Sequence, residues 1–197
     1  LLNTTNVFAS GVGAFNTFLT TSNGGKTWQD NSQLIDNPDG LHLNAVRGHG
    51  SNIFILGEAG FMYHSTDNGE SWEPLESPDY GSFFALNIQL LESPDVLGLI
   101  IVGLEGSVYR SSDTGETWQA LEHDANNNVN ALVLGEDGFI LIVGNDGTVL
   151  KSTDNGASFD FTTRPNQLTI GSVVIAANGN YILGGAGGIQ IVKPDEL

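Results

Sequence analysis

The chain contains no cysteine, so its 197 residues can form no disulfide framework, no thiolate nucleophile and no thiolate metal site. That absence suits an exported protein that dispenses with disulfides and a cytoplasmic one equally. Basic residues are scarce as well: six Lys and Arg stand against 23 Asp and Glu, for a net charge of −17. Phosphate backbones and anionic lipid would be repelled, which argues against nucleic acid and membrane surfaces as partners. The acidity reads as a solvated surface that resists aggregation, with attraction of a basic partner as the alternative. No long apolar run occurs, so direct membrane insertion is not expected, and no window offers an amphipathic helix of useful length.

What the chain does contain is an internal repeat. The octet STDNGESW, residues 65–72, returns as SSDTGETW and STDNGASF, and a looser copy, TSNGGKTW, precedes them. Their last residues, Trp28, Trp72, Trp118 and Phe159, are spaced by 44, 46 and 41. A period of roughly 40 to 50 residues is what one four-stranded blade of a β-propeller requires. The intervals divide accordingly into short runs rich in Val, Ile, Leu and aromatics, punctuated by Gly, Asn and Asp. One interval predicts strands at Phe84 to Leu90, Leu99 to Gly103, Ser107 to Ser111 and Glu116 to Leu121. The next predicts Asn130 to Leu134, Phe139 to Gly144, Thr148 to Ser152 and Ala157 to Phe161.

Each octet falls between the third and fourth strands, where a hairpin turn is needed. Its carboxylate can accept backbone N–H groups of its own turn, its Gly supplies positive φ, and its aromatic can pack between neighbouring sheets. The structural positions are Ser65, Asp67, Gly69 and Trp72; Ser111, Asp113, Gly115 and Trp118; and Ser152, Asp154, Gly156 and Phe159. The first copy supplies Asn23, Gly25 and Trp28. One or two acidic residues per octet are too few for a calcium ion that takes six to eight oxygens, so the repeat is read as structure and not chemistry.

The pattern S-x-D-x-G-x-[ST]-[WF] resembles the Asp-box, or BNR, repeat of sialidases, sortilin-like receptors, xyloglucanases and Ycf48-like assembly factors. The fold class expected is therefore all-β: a β-propeller of four-stranded Asp-box blades. Units fall at about 1–32, 33–76, 77–122, 123–165 and 166–197 of a single domain. The first, from Asn6 to Asp30, holds three strands, and so does the last. About five units are thus present, and the expectation is the C-terminal part of a larger, seven-bladed ring, with a compact five-bladed ring sealed by its mismatched ends as the alternative.

A longer resemblance lies outside the octets. The run DGLHLNAVRGHGSNIFILGEAGFMYHSTDNGESW, residues 39–72, is similar to one blade of Ycf48-related bacterial proteins, as are SPDYGSFFAL at 77–86 and LIIVGLEGSVYRSSDTGETW at 99–118. GNYILGGAGGIQIV, residues 179–192, is similar to their last blade. This resemblance implies an exported, periplasmic accessory or assembly factor without enzymatic activity or cofactor. It further implies a protein partner such as a membrane transporter or its periplasmic parts. Photosynthetic relatives are said to use an arginine-rich patch; Arg47, Arg110 and Arg164 are the only arginines here.

If the boxes occupy one face, the opposite face is built from the loops that link blades and the turns between second and third strands. Binding residues concentrate on such loops. Among them His42, Glu58, Tyr80, Ser82 and Phe83 depart from the Gly, Asn and Asp that turn geometry would select. Tyr80 and Phe83 are read as aromatic anchors for a partner, and His42 and Glu58 as specificity groups around them.

Enzymatic readings fare less well. A sialidase needs a cluster of arginines, and Arg110 directly precedes a box, which should place it away from the loop face. Glu58 and Glu105 occupy corresponding turns, which the repeat itself explains. No frame arranges a Ser-His-Asp set, and His42 and His49 do not have metal-ligand spacing. The alternative of another class is a carbohydrate-binding propeller using Phe15, Asn16, Tyr80 and Asn126 to Asn128.

Overall fold

The computed structural model describes residues 9–93 and 95–197. The chain forms two compact units, which divide between Ser82 and Phe83.

The first unit holds two antiparallel sheets. One has the order β1 (Ala9–Gly13), β2 (Thr17–Thr21) and β3 (Gln29–Asp30). The other has the order β4 (Leu43–His49), β5 (Asn52–Gly57), β6 (Met62–Ser65) and β7 (Glu73–Pro74). The opening residues of the expected first blade, Asn6 to Phe8, lie outside the described residues. Phe18, Ile35, Leu43 and Ile55 form the core here, with Trp72 against it. Trp72 of the second sheet meets Phe18 of the first edge-on, at 5.2 Å and 86°, so this box aromatic joins two blades as the repeat predicts.

Three sheets make up the second unit. The first comprises β8 (Phe83–Leu90), β9 (Leu97–Gly103), β10 (Val108–Ser111) and β11 (Gln119–Ala120). The next comprises β12 (Val129–Leu134), β13 (Ile140–Gly144), β14 (Thr148–Ser152) and β15 (Asp160–Thr163). The last has three strands among the described residues: β16 (Ile170–Ile175), β17 (Tyr181–Gly185) and β18 (Gly188–Val192). Strand β13 is an apolar run without polar alternation because both its faces are covered. Ile140 and Ile142 enter one core cluster with Ile100 and Val102, while Leu141 and Val143 enter another with Ile170 and Tyr181. Burying each such side chain contributes roughly 1.5–3 kcal/mol.

Two details differ from the sequence reading. The fourth strands begin later than expected, at Gln119 instead of Glu116 and at Asp160 instead of Ala157, because the box turn extends through its aromatic residue. The first strand of every four-stranded blade, and of the last sheet, also carries a bulge. It lies between Leu43 and Ala45, Phe83 and Ala85, Val129 and Ala131, and Ile170 and Ser172. The residue just before each bulge is buried.

Candidate protein-binding face

The box turns show what the repeated octet does. Ser65 Oγ accepts the Gly69 N–H at 2.8 Å and donates to Asp67 Oδ1 at 2.8 Å. Asp67 Oδ1 also accepts the N–H groups of Glu70 and Ser71, and Oδ2 accepts the Ser71 hydroxyl at 2.6 Å. Ser111 with Asp113, and Ser152 with Asp154, repeat the arrangement. In the first copy Asn23 Oδ1 takes the carboxylate's place, accepting from Thr21 Oγ1 and the Thr27 N–H, while Gly25 donates to Thr21. The amide Nδ2 then donates to Thr27 Oγ1, reversing the last bond. These contacts hold each Asp well below the usual carboxylate range, Asp67 and Asp154 at about 2, with the hydroxyl of Ser71 or Ser158 as the largest cause. The three later turns are each tied to the segment between first and second strands, as in Asn68 N–H to Ser51 O at 3.0 Å and Asn155 N–H to Gly138 O at 2.8 Å. Trp28 is half-exposed, and Trp118 carries a buried indole nitrogen with no hydrogen-bond partner among the described residues.

At the other end of the third strands, in the first unit, four loops are bonded into one platform. Asn16 N–H donates to Leu41 O at 3.2 Å, Glu58 N–H to His42 O at 3.1 Å, and Gly60 N–H to Gly81 O at 2.7 Å. This brings together most of the residues singled out by sequence. Glu58 Oε2 accepts the His42 backbone N–H at 2.9 Å, and its Oε1 lies 3.5 Å from His42 Nδ1. The Phe15 ring stands edge-on to the His42 imidazole at 4.9 Å. Tyr80 is 93% exposed on the Ser77–Gly81 loop, which Ser77 Oγ and Asp79 brace from within. Ser82, half-buried, holds the place in its blade that His42 holds in the preceding one, one residue ahead of the buried strand start.

Phe83 is a correction. It is fully buried, its ring 6.1 Å from that of Tyr109, and it corresponds to Leu43, Val129 and Ile170, each a core residue ahead of its bulge. It is core, and no surface anchor.

The sugar-binding set is also weakened by its bonds. Asn16 Nδ2 donates to Ser32 O and Ile35 O, and its Oδ1 accepts from Asn37, so this amide braces the fold. Asn128 Oδ1 accepts the Glu105 N–H at 3.1 Å. The arginines are engaged separately. Arg47 donates to Val46 O, Arg110 bonds Asn155 O of the next box, and Arg164 donates to Gln190 Oε1 at 2.8 Å. Glu105 corresponds to Ala59, not to Glu58, so the two glutamates share a turn but not a position. Among the described residues no three of His, Asp and Glu gather as metal ligands.

Sequence reasoning passed over two features. Gly57, Gly144 and Gly185 end their second strands against the carbonyl oxygens of His42, Asn128 and Thr169, where a Cβ would collide. The signal was present as a glycine eight residues before the box serines Ser65 and Ser152, with the same spacing at Gly103 and Gly13. The second feature is Phe15, placed only in the sugar-binding alternative although its ring touches His42.

Sheets of this order, whose third and fourth strands are joined by Asp-box turns, define a β-propeller protein of the Asp-box type. The family model of the photosynthesis system II assembly factor YCF48 matches residues 5–140, and the chain belongs to that family. No curated protein sequence matches the chain. A solved structure of YCF48 bound to a D1 peptide is similar at a TM-score of 0.72 and 24% identity, over 98% of this chain and 65% of that one. YCF48 from Cyanidioschyzon merolae gives 0.71 and 18%, over 98% and 69%. An ancestral GH74 enzyme gives 0.68 and 16%, over 98% of this chain and 30% of the enzyme. The chain thus spans 65% of the length of the first of these structures and 69% of the second.

Proposed function

We propose that this chain is a non-catalytic, protein-binding propeller that acts as an accessory or assembly factor for a membrane protein complex, through the loop face opposite the boxes. The observation that carries this reading is the bonded loop platform of the first unit, which holds Tyr80 almost wholly in solvent on a loop bonded to the turn of Glu58, itself bonded to His42. Rigid aromatic anchors with a polar surround are the usual energetic centre of a protein interface. Family membership supports an assembly role, and one family structure holds a peptide. The long resemblance to exporter-associated bacterial relatives favours a periplasmic location and a transporter, or its periplasmic parts, as the partner. An enzyme of similar fold shows that the fold can carry catalysis. Here the arginines serve separate contacts and cannot converge on one anion without breaking them.

Affinity capture from periplasmic and membrane extracts tests the reading, with captured proteins identified by mass spectrometry. The wild type should retain a discrete membrane-complex subunit, Tyr80→Ala should lose it, and Glu70→Gln on a box turn should keep it. Equal recovery by all three would remove the face from consideration, and turnover of a sialoside or glucan by the wild type would overturn the function.

A further inference from the structure

In four of the five sheets the tip of the second-to-third-strand turn is a residue in the left-handed region: Phe15 (φ 54°), Ala59 (52°), Glu105 (52°) and Asp146 (53°). A bulky aromatic in that conformation is an outlier that carries backbone strain. Phe15 does not offset this strain by burial, since 79% of it is exposed. Among the described residues its ring meets that of His42, nearly perpendicular to it, and Glu58 holds His42 at two points. The turn carrying Glu58 is bonded in turn to the loop that presents Tyr80. Two solvent-facing aromatics therefore stand on one platform with a carboxylate on the turn between their loops.

The charge of that platform is one-sided. Its loops, 14–16, 36–42, 58–61 and 77–82, carry Asp36, Asp39, Glu58 and Asp79 and no Lys or Arg. Aromatic faces attract cations, and a nearby carboxylate adds direct pairing. We propose that Phe15 and Tyr80 flank a seat for a Lys or Arg side chain of an extended segment of the partner protein, with the Glu58 carboxylate as its counter-charge. The inference rests on the reading that this face binds protein, and it adds the class of residue recognised. Glu58 has a second duty, since its Oε2 accepts the His42 N–H; Glu58→Gln keeps an acceptor for that bond and removes the charge.

The probe is a library of terminally blocked decapeptides in which one scanned position carries Lys, Arg, Gln or Glu, read by fluorescence anisotropy against the intact chain. Lys and Arg peptides should bind at least about tenfold tighter than their Gln counterparts, and Glu peptides weakest. Phe15→Gly should weaken the basic peptides at least about tenfold without lowering the melting temperature, because glycine accepts the turn's φ. Glu58→Gln should reduce the preference for Lys and Arg over Gln without weakening the Gln peptides. If Gln or Glu peptides bind as tightly and are lost in Tyr80→Ala, the face binds protein but the basic seat is wrong. If Lys and Arg peptides bind Phe15→Gly and Tyr80→Ala like the wild type, both the seat and the face are wrong. Absence of peptide binding, or binding of glycans alone on an array, overturns the proposal too.

Discussion

Asp67 and Asn23 occupy the same place in two copies of the box and differ by one charge, so the repeat contains its own control. Both side chains gather backbone N–H groups, but only the carboxylate titrates. Asp67 and Asp154 are lowered from 3.8 to about 2, and Asp113 is lowered too, by hydrogen bonds that favour the ionised form. A carboxylate with a depressed folded-state pKa contributes its full stability above the unfolded value and loses it as pH falls through the folded one. The melting temperature should therefore drop between about pH 4 and pH 2, and replacing all three by Asn should flatten that drop, as thermal scans across this range would show. Ser111 makes the complementary case, because its buried hydroxyl accepts the Gly115 N–H. Ser111→Ala should cost about 1–3 kcal/mol in urea unfolding, the penalty for an unpaired buried donor, and leave binding per folded molecule unchanged. The octet was legible in the sequence because the hydrogen bonds of its Ser and Asp side chains span at most four residues along the chain.

Blades were legible for a related reason: strand lengths and turn residues are local, and the box marks where the third strand ends. Bulges were not, because they depend on which residues pair across strands. The pair Phe83 and Phe84 shows the limit. Both are aromatic, and only the register, in which Phe83 faces Gly103 while Ala85 faces Val102, makes the first of them core. The glycines that end second strands are register features of the same kind. Gly144→Ala would drive a Cβ into the Asn128 carbonyl and the backbone of Val129, whereas Gly171→Ala, with Gly184 O at 3.9 Å, meets ordinary contact. Gly144→Ala should destabilise by about 2 kcal/mol or more and Gly171→Ala by far less, measured side by side in denaturant. The candidate site was half legible for the same reason: His42, Glu58 and Tyr80 stood out as unusual loop residues, while the contact of Phe15 with His42 joins turns distant in sequence.

For the whole molecule, the acidic surface and the last sheet act in opposite directions. Among the described residues β18 pairs only with β17, and Ile189 and Ile191 on it are 82% and 70% exposed, with Val174 exposed on the same sheet. Such an edge invites strand addition. Light scattering on this chain should show association that grows with concentration and that Ile191→Lys suppresses; a concentration-independent monomer would show the edge to be covered. The central claim is that the chain works by holding a protein against the loop face of its first unit. Site-specific photo-crosslinking in cells tests it most directly, with the aromatic crosslinker p-benzoylphenylalanine in place of Tyr80, where it keeps an aromatic ring, or, as the control, of the exposed box residue Glu70. The account predicts one discrete protein adduct from position 80, absent when Phe15 is also replaced by Gly, and none from position 70. Adducts from position 70 alone, or the same adducts from both positions, would contradict it.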